Sequence, residues 1–318
     1  MNKILIFDTH CHLADEKYNE QKKLTKEIIQ DAQELGIEHI LNMGQDFSTN
    51  HLLMKQLDEF PSLYGALGLH PNSNEDLNEE NLQWIEKQLS NKKIIAIGEI
   101  GLDYYQTFTE IEKQKYWLKK QLELAKKCDL PVCLHIRSNE EKNNAFDDVY
   151  EILQEMGVKK GVLHCFTGNW QTAQKFIDWG FYISFAGNIT YKNAKWQERW
   201  KEVIEKIAIE RMVVETDAPY LSPEPLRGKI NYPQNIIHTL RKLAEIKKMN
   251  TEEIGKVIYS NTLQLFNLKN ISLTLDKPLL IALRFPYPFD LRISLTTNFC
   301  WLLAVNQKEF CWVYLNHC

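Results

Sequence analysis

The sequence predicts an α/β fold, specifically a (β/α)8 barrel in which eight parallel strands close into a ring inside a layer of helices. Apolar strand patterns alternate with helical patterns from the start of the chain to about residue 266. The strand patterns number eight, and right-handed crossovers between eight parallel strands close a barrel. An open doubly wound sheet is the competing fold, but it usually carries a Gly-rich turn after its first strand, and DTHCHL is not such a turn.

Each predicted strand is a short apolar run, as expected for parallel strands that are buried on both faces. In chain order, the predicted strands are residues 4–8, 39–43, 63–68, 94–98, 131–135, 161–165, 181–186 and 212–216. The predicted helices are residues 20–35, 49–59, 79–90, 110–128, 143–156, 170–179, 195–207, 233–247 and 252–266. The pattern at 110–128 is the clearest, because Leu118, Leu122 and Ala125 recur on one face while Lys and Glu occupy the other.

Length and composition indicate one barrel followed by an extension. The chain has 318 residues and 44% hydrophobic residues, which is ordinary for a globular protein. After Leu268 the density of Lys and Glu falls, and Phe, Trp and Leu become frequent without a helical period. We therefore predict a barrel over residues 1–268 and a C-terminal extension of unassigned structure over residues 269–318.

Charge and cysteine content exclude some classes of protein. The net charge of −4 excludes a surface that is basic throughout, so any nucleic acid must be bound locally at a cleft. The apolar stretch in MNKILIFDTHCHL is too short for a signal peptide or a membrane span, so we expect a cytoplasmic protein without a membrane partner. None of the seven cysteines forms a CxxC pair, and we expect reduced thiols.

Two histidines after the first predicted strand form the first candidate metal site. His10 and His12 are two residues apart on an extended segment, so both imidazoles leave the same face and can reach one cation. Asp8 precedes them and is predicted to orient one of the rings through a hydrogen bond.

Four further candidate ligands follow other strands. Glu99 lies between two glycines after the fourth strand, and its two oxygens can bridge two cations. His135 and His164 follow neighbouring strands and can share a second cation. Asp217 follows the eighth strand, which lies beside the first strand in a closed barrel, so it returns to the site of His10.

This set of four imidazoles and two carboxylates predicts a metal-dependent hydrolase with two divalent ions. Nitrogen-rich ligation suits Zn²⁺, Mn²⁺ or Fe²⁺, while the carboxylates also admit Mg²⁺ at lower affinity.

Other residues on the same rim are candidates for contacts with the substrate. His70 ends the third strand and is predicted to donate to a substrate phosphate or to orient a loop, without binding metal. The candidates for binding phosphate are Arg137, Arg227 and Lys229. The candidates for stacking on bases, with packing as an equal alternative, are Tyr104, Tyr105 and Tyr220.

Five motifs resemble those of the TatD family of metal-dependent deoxyribonucleases, within the amidohydrolase superfamily. They are DTHCHL, GEIGLDYY, LPVCLHIRS, LHCFTG and ETDAPYLSPEPLRGK, and the resemblance spans residues 1 to about 268. The resemblance implies a TIM barrel with a binuclear centre, in which Glu99 is shared between the two ions. One ion would be held by His10, His12, Glu99 and Asp217, and the other by Glu99, His135 and His164.

The resemblance also implies the activity, which is cleavage of DNA, often as a 3′ to 5′ exonuclease. We expect single-stranded DNA as the substrate, Glu99 and Asp217 as catalytic residues, and Asp217 as the general base. The alternative is an ester or amide hydrolase such as a D-aminoacyl-tRNA deacylase, for which we expect a small closed pocket instead of a slot lined with cations. A third class, a non-catalytic interaction protein, is disfavoured by the complete ligand set.

Overall fold

The computed structural model describes residues 4–106, 108–139 and 144–268, together with the backbone of four strands between residues 281 and 315. Contacts within the chain divide it into two units, residues 1–268 and residues 269–318. Within the described part of the chain, no helix is both long enough and apolar enough to cross a membrane.

The first unit contains eight parallel strands, and their order in the sheet is their order in the chain. The strands are β1 (Ile6–Cys11), β2 (Ile37–Met43), β3 (Leu63–Leu67), β4 (Ile94–Asp103), β5 (Val132–Arg137), β6 (Gly161–Leu163), β7 (Tyr182–Phe185) and β8 (Met212–Val214). The last strand approaches the first, because Cys11 forms a parallel bridge with Ala218 and the Thr9 hydroxyl donates to the Val214 carbonyl at 2.9 Å. The nearly closed ring confirms the predicted (β/α)8 barrel.

Helices follow the strands as the sequence predicts. They are α1 (Glu16–Glu20), α2 (Thr25–Glu34), α3 (Phe47–Glu59), α4 (Glu79–Gln88), α5 (Ile111–Cys128), α6 (Ala145–Met156), α7 (Trp170–Trp179), α8 (Ala194–Lys206), α9 (Ile236–Lys247) and α10 (Thr251–Leu265). Short 3-10 helices lie at Gly187–Thr190, Ile209–Arg211 and Pro233–Asn235. The predicted face of α5 is confirmed, since Leu118, Leu122 and Ala125 are all buried.

One apolar cluster takes a residue from every strand and therefore fills the barrel interior. Its strand members are Phe7, Leu41, Met43, Ala66, Ile95, Ala96, Cys133, Val162, Tyr182 and Val213. Because side chains alternate along a strand, residues two positions further on face the same interior. His135, His164 and Glu215 occupy such positions after Cys133, Val162 and Val213, so the apolar layer supports a polar layer at the C-terminal ends of the strands.

Several of the predicted boundaries are wrong. The first strand does not end at residue 8, because β1 continues to Cys11. The helix predicted at 20–35 begins only at Thr25, after the short α1, because Lys22 takes a left-handed conformation with φ of 52° and Leu24 is extended. The fourth strand does not end at residue 98, because β4 continues to pair with β5 as far as Asp103 opposite Arg137. Glu99 therefore lies within β4 and not after it.

The second unit contains four antiparallel strands, for which the sequence analysis predicted no structure. They are β9 (Ile281–Arg284), β10 (Asp290–Thr296), β11 (Phe299–Asn306) and β12 (Glu309–Leu315), in the sheet order β12-β11-β10-β9. Runs such as FCWLLAV have no alternation of polar and apolar residues, which is why they carry no clear strand signal.

Removing all residues after Leu268 is expected to leave a folded barrel. The eight parallel strands and the six candidate ligands precede this position, and the barrel core is made by its own strands and helices. Thermal unfolding and metal binding of the fragment 1–268 should therefore match those of the full chain. A fragment that is unfolded, or that no longer binds metal, would show that the extension is part of the barrel core.

Candidate metal centre

The six predicted ligands converge around the carboxylate of Glu99. Its Oε1 lies 2.9 Å from His164 Nε2 and 3.0 Å from His135 Nδ1. Its Oε2 lies 3.6 Å from both His10 Nε2 and His12 Nε2. Each carboxylate oxygen therefore faces a different pair of histidines, and the carboxylate stands between the two pairs.

Asp217 belongs to the side of the first pair. Its Oδ1 lies 3.3 Å from His12 Nε2 and 3.6 Å from His10 Nε2. Its amide donates to the His10 carbonyl at 2.9 Å, which fixes the segment after β8 against β1. The residue has a left-handed φ of 54°, a conformation that Asp and Asn adopt more readily than most residues.

The pairing of β1 and of β4 with the next strand is irregular at their candidate ligands. The register of β1 against β2 shifts between Asp8 and Cys11, around His10. The register of β4 against β5 shifts between Ile97 and Ile100, around Glu99. Such irregularities re-aim side chains next to active sites, so both ligands owe their direction to local breaks in the sheet.

The hydrogen bonds of two imidazoles leave bare nitrogens directed into the site. His12 Nδ1 lies 3.2 Å from the Met43 carbonyl, which only accepts, so the ring hydrogen is on Nδ1 and Nε2 is bare. The Nε2 of His135 lies 3.2 Å from Asp103 Oδ2, which leaves Nδ1 bare on the side of Glu99. The Nε2 atoms of His10 and His12 are only 3.1 Å apart.

Bare nitrogens and a carboxylate at such distances repel one another unless a proton or a cation lies between them. Ligand atoms of His10, His12 and Glu99 lie within 4.8 Å of one another, and His135 Nδ1 lies 3.3 Å from His164 Nε2. All of these side chains except His135 are buried. The donor set therefore fits divalent cations.

Ionisation of the two carboxylates also fits metal binding. Burial opposes the charge of Glu99, but His164, His70 and His10 together hold its pKa well below the usual value. Burial likewise opposes the charge of Asp217, and the adjacent imidazole of His12 lowers its pKa in spite of this. Both carboxylates are therefore charged near neutral pH.

Glu215 is a buried part of the site that the sequence analysis missed. Its Oε1 accepts from the Cys165 amide at 2.6 Å and lies 3.3 Å from His164 Nδ1. Its Oε2 accepts from the Ser184 hydroxyl at 2.6 Å. It therefore fixes the loop that carries His164, and its place two residues before Asp217 was the available signal.

Asp103, at the end of β4, contacts the candidate ligand His135 through its Oδ2. Besides His135, its Oδ2 accepts from Asn72 Nδ2 at 2.9 Å. Its Oδ1 accepts from the amides of Tyr105 and Gln106 at 2.9 and 2.8 Å. Asp103 thus fixes both the ring of His135 and the loop after β4.

Replacing Asp103 with Asn is expected to weaken metal binding about 10- to 100-fold. An amide nitrogen in place of Oδ2 would face two donors, His135 Nε2 and Asn72 Nδ2, so His135 would lose its orientation. Titration calorimetry with Zn²⁺ or Mn²⁺ measures the effect. Asp147→Asn is the control, since Asp147 is an exposed partner of Lys175. Equal affinity in the two variants would exclude an orienting role.

The predicted role of Asp8 is wrong. Its carboxylate contacts no imidazole, and instead accepts from the Thr216 amide at 2.9 Å, the Thr216 hydroxyl at 2.5 Å and the His10 amide at 3.3 Å. Full burial raises the pKa of Asp8 to about 8. Asp8 therefore joins β1 to the segment after β8, and its contact with His10 is made through the backbone.

His70 lies beside the candidate ligands. Its Nδ1 accepts from the Asn72 amide at 3.1 Å, so the ring hydrogen is on Nε2, which lies 3.6 Å from Glu99 Oε1. Burial lowers the pKa of His70 to about 3, so the ring is neutral. This arrangement suits a donor better than a ligand, and the role of His70 stays a prediction.

The aromatic candidates differ in accessibility. Tyr104 is 5% exposed and its hydroxyl donates to Asp148 at 2.5 Å, so it packs in the core and its predicted stacking role is wrong. Tyr105 is 58% exposed, and the guanidinium of Arg137 lies 4.0 Å from the centre of its ring. This pair is accessible on the rim where β4 and β5 end.

A groove of about 480 Å³ adjoins the centre on the side of Asp217. The charged and aromatic residues that line it are Lys17, Tyr191, Tyr220, Arg227 and Lys229. The amide of Tyr220 donates to the Asp217 carbonyl at 2.8 Å, and the wall of the groove begins at Pro219, two residues after that carboxylate. The groove thus brings together Arg227, Lys229 and Tyr220 from the predicted contacts, and adds Lys17 and Tyr191.

Comparison with known proteins places this barrel in one family. The model of the TatD related DNase family matches residues 7–267. The uncharacterized metal-dependent hydrolase YabD of Bacillus subtilis is 37% identical over 266 residues, which cover 83% of this chain and 100% of YabD. The corresponding hydrolase YjjV of Escherichia coli K12 is 30% identical, over 82% of this chain and 97% of YjjV.

Solved structures agree with this placement. The crystal structure of YjjV, a TatD homologue, has a TM-score of 0.74 at 30% identity and covers 82% of this chain and 98% of its own. A TatD family hydrolase from Entamoeba histolytica shares the fold, with a TM-score of 0.71 at 24% identity over 82% of this chain and 98% of its own. The chain therefore belongs to the TatD related DNase family and is a metal-dependent hydrolase.

Proposed function

We propose that this hydrolase cleaves the phosphodiester bonds of DNA, with single-stranded DNA as its substrate and in the 3′ to 5′ direction. The observation that carries the proposal is the position of Glu99, whose two oxygens face two separate pairs of histidines. A carboxylate between two groups of ligands is what a two-ion hydrolase requires. The name of the family model, TatD related DNase, supports DNA as the substrate.

Two divalent ions, Mg²⁺, Mn²⁺ or Zn²⁺, would be held by the six residues around Glu99. His10, His12 and Asp217 would hold one ion, His135 and His164 the other, and Glu99 both. When bound, such ions activate water as a nucleophile and offset the negative charge on the phosphate oxygens in the transition state.

The residues of the chain then have separate roles. Asp217, which is ionised, accepts the proton of the attacking water. The neutral His70 donates its Nε2 hydrogen to a phosphate oxygen. Arg137, Arg227 and Lys229 lie at the mouth of the barrel, where their charges hold the neighbouring phosphates.

A D-aminoacyl-tRNA deacylase would use the same centre to attack a carbonyl. We expected a small closed pocket for that reaction, whereas the groove beside Asp217 is open and carries three cations. This shape favours a polyanionic strand as the substrate.

The proposal is tested by assays of metal-stripped protein to which Mg²⁺, Mn²⁺ or Zn²⁺ is restored separately. The substrates are single-stranded DNA labelled at its 5′ end, RNA of the same sequence, and D-aminoacyl-tRNA. We expect the labelled DNA to shorten stepwise, as digestion from the 3′ end requires. Immediate release of the labelled nucleotide would contradict the direction. Deacylation without cleavage of DNA would contradict the nuclease.

A further inference from the structure

We propose that the groove beside Asp217 binds the nucleotide next to the scissile phosphate through two cation–tyrosine pairs, Lys17 with Tyr220 and Arg227 with Tyr191. This inference rests on the proposed nuclease function and adds the means by which the strand is held.

The two pairs are built from separate parts of the barrel. Lys17 lies on α1, and its Nζ is 3.7 Å from the centre of the Tyr220 ring, which belongs to the loop after β8. The guanidinium of Arg227 is 4.4 Å from the ring of Tyr191, which follows the 3-10 helix after β7. Both pairs line one groove, so the groove carries two aromatic rings, each with a cation over its face.

The cations of the groove are free to bind an anion. Across the described residues, no carboxylate forms an ion pair with Lys17, Arg227 or Lys229. On the outer helices the comparable pair of Lys175 with Tyr150 differs, because Lys175 also contacts Asp147 at 3.0 Å. Cations on aromatic rings that lack an acidic partner suit the phosphates and bases of a nucleic acid strand.

Tyr220 is held rigidly against the metal centre. Its hydroxyl donates to Asp15 Oδ2 at 2.5 Å, and its ring centre is 6.0 Å from that of His12. A nucleotide whose phosphate binds Lys17 above this ring is positioned next to the candidate ligands. The volume of about 480 Å³ lies within the usual range for a small bound molecule, and so suits one nucleotide.

Contacts of this kind do not distinguish between bases. Stacking and phosphate binding depend little on the base sequence. The remaining lining residues have mainly small or apolar side chains: Pro219, Leu221, Ser222, Gly228 and Ile230. The groove therefore predicts similar affinities for oligonucleotides of different sequence.

The test is equilibrium binding of a fluorescein-labelled single-stranded oligodeoxynucleotide in EDTA, where cleavage does not interfere. Lys17→Met and Arg227→Met should each bind more weakly and should each lower the slope of log affinity against log salt by about 0.7. Tyr191→Leu should bind about 5-fold or more weakly, as expected from loss of a stacking surface. Thermal unfolding of each variant shows that the fold is kept.

Two substitutions outside the groove serve as matched controls. Lys159 also lies over an aromatic ring, 4.7 Å from the centre of Trp179, but it precedes β6 at the opposite end of the barrel. Arg241 is exposed on α9. Lys159→Met and Arg241→Met should bind the oligonucleotide as the wild type does.

The outcomes separate this inference from the proposed function. Wild-type affinity and salt slope in all three groove variants would overturn the groove assignment, even if the wild type cleaves DNA. Weaker binding by the three groove variants, together with wild-type binding by the two control variants, would support the groove assignment. Failure of the wild type to cleave DNA with any of the three metals would overturn the nuclease, whatever the binding shows.

Discussion

Replacing Glu99 with Ala is expected to abolish hydrolysis and to reduce the metal content of the protein. One carboxylate oxygen faces His135 and His164 and the other faces His10 and His12, so its removal takes a ligand from both groups at once. Loss of a residue on which the whole catalytic group depends lowers kcat by about 10⁴-fold or more. Metal analysis and the rate on single-stranded DNA measure the two effects.

Glu112→Ala is the matched control for this substitution. The Glu112 side chain is 87% exposed on α5, so its removal should change neither the metal content nor the rate. Thermal unfolding without metal shows whether Glu99→Ala still folds. A folded Glu99→Ala variant with full metal content and wild-type turnover would exclude the bridging role.

Replacing Asp217 with Asn is expected to lower kcat about 10²- to 10⁴-fold, with little change in KM or in the free energy of unfolding. The amide can still offer an oxygen to a cation but cannot accept the proton of water. Asn also tolerates the left-handed φ of 54° at this position, so the backbone should be kept.

Asp129→Asn controls for the backbone conformation. Asp129 has a φ of 52° at the end of α5, and its side chain is 93% exposed. The Asp129→Asn variant should therefore have the same free energy of unfolding and the same kcat as the wild type. If kcat is unchanged in Asp217→Asn, Asp217 is not the general base.

The barrel and the convergence of the candidate ligands could be predicted because both depend on local signals. A ligand next to the C-terminal end of a strand lies on the same rim as every other such ligand, whatever the helices between them do. The rule predicts that His10, Glu99 and Asp217 lie on one rim, and in the structure both carboxylates lie 3.6 Å from His10 Nε2.

The supporting contacts could not be predicted, because they depend on the register between strands. The period of two puts Asp8 on the face of His10, but the register shift between Asp8 and Cys11 breaks that relation, and the carboxylate instead joins Thr216. Glu215 appears in the sequence only as one more residue of an apolar strand end, although its oxygens contact β7 and the loop after β6. The contact of Asp8 has no local signal, and the signal for Glu215 is its place two residues before Asp217.

Because the first and last strands meet at the candidate metal centre, metal binding should stabilise the barrel against unfolding and proteolysis. His10 lies in β1, His12 directly follows it, and Asp217 lies in the segment after β8, so no fragment that lacks either end has the complete set of candidate ligands. A cation that needs this set binds the closed barrel and not the unfolded chain. At 100 times its dissociation constant, such a cation adds about 2.7 kcal/mol to the free energy of unfolding. Removal of the metal by a chelator would then expose the chain to proteases as well as stop catalysis. The metal concentration would therefore set both the lifetime of the protein and its catalytic rate.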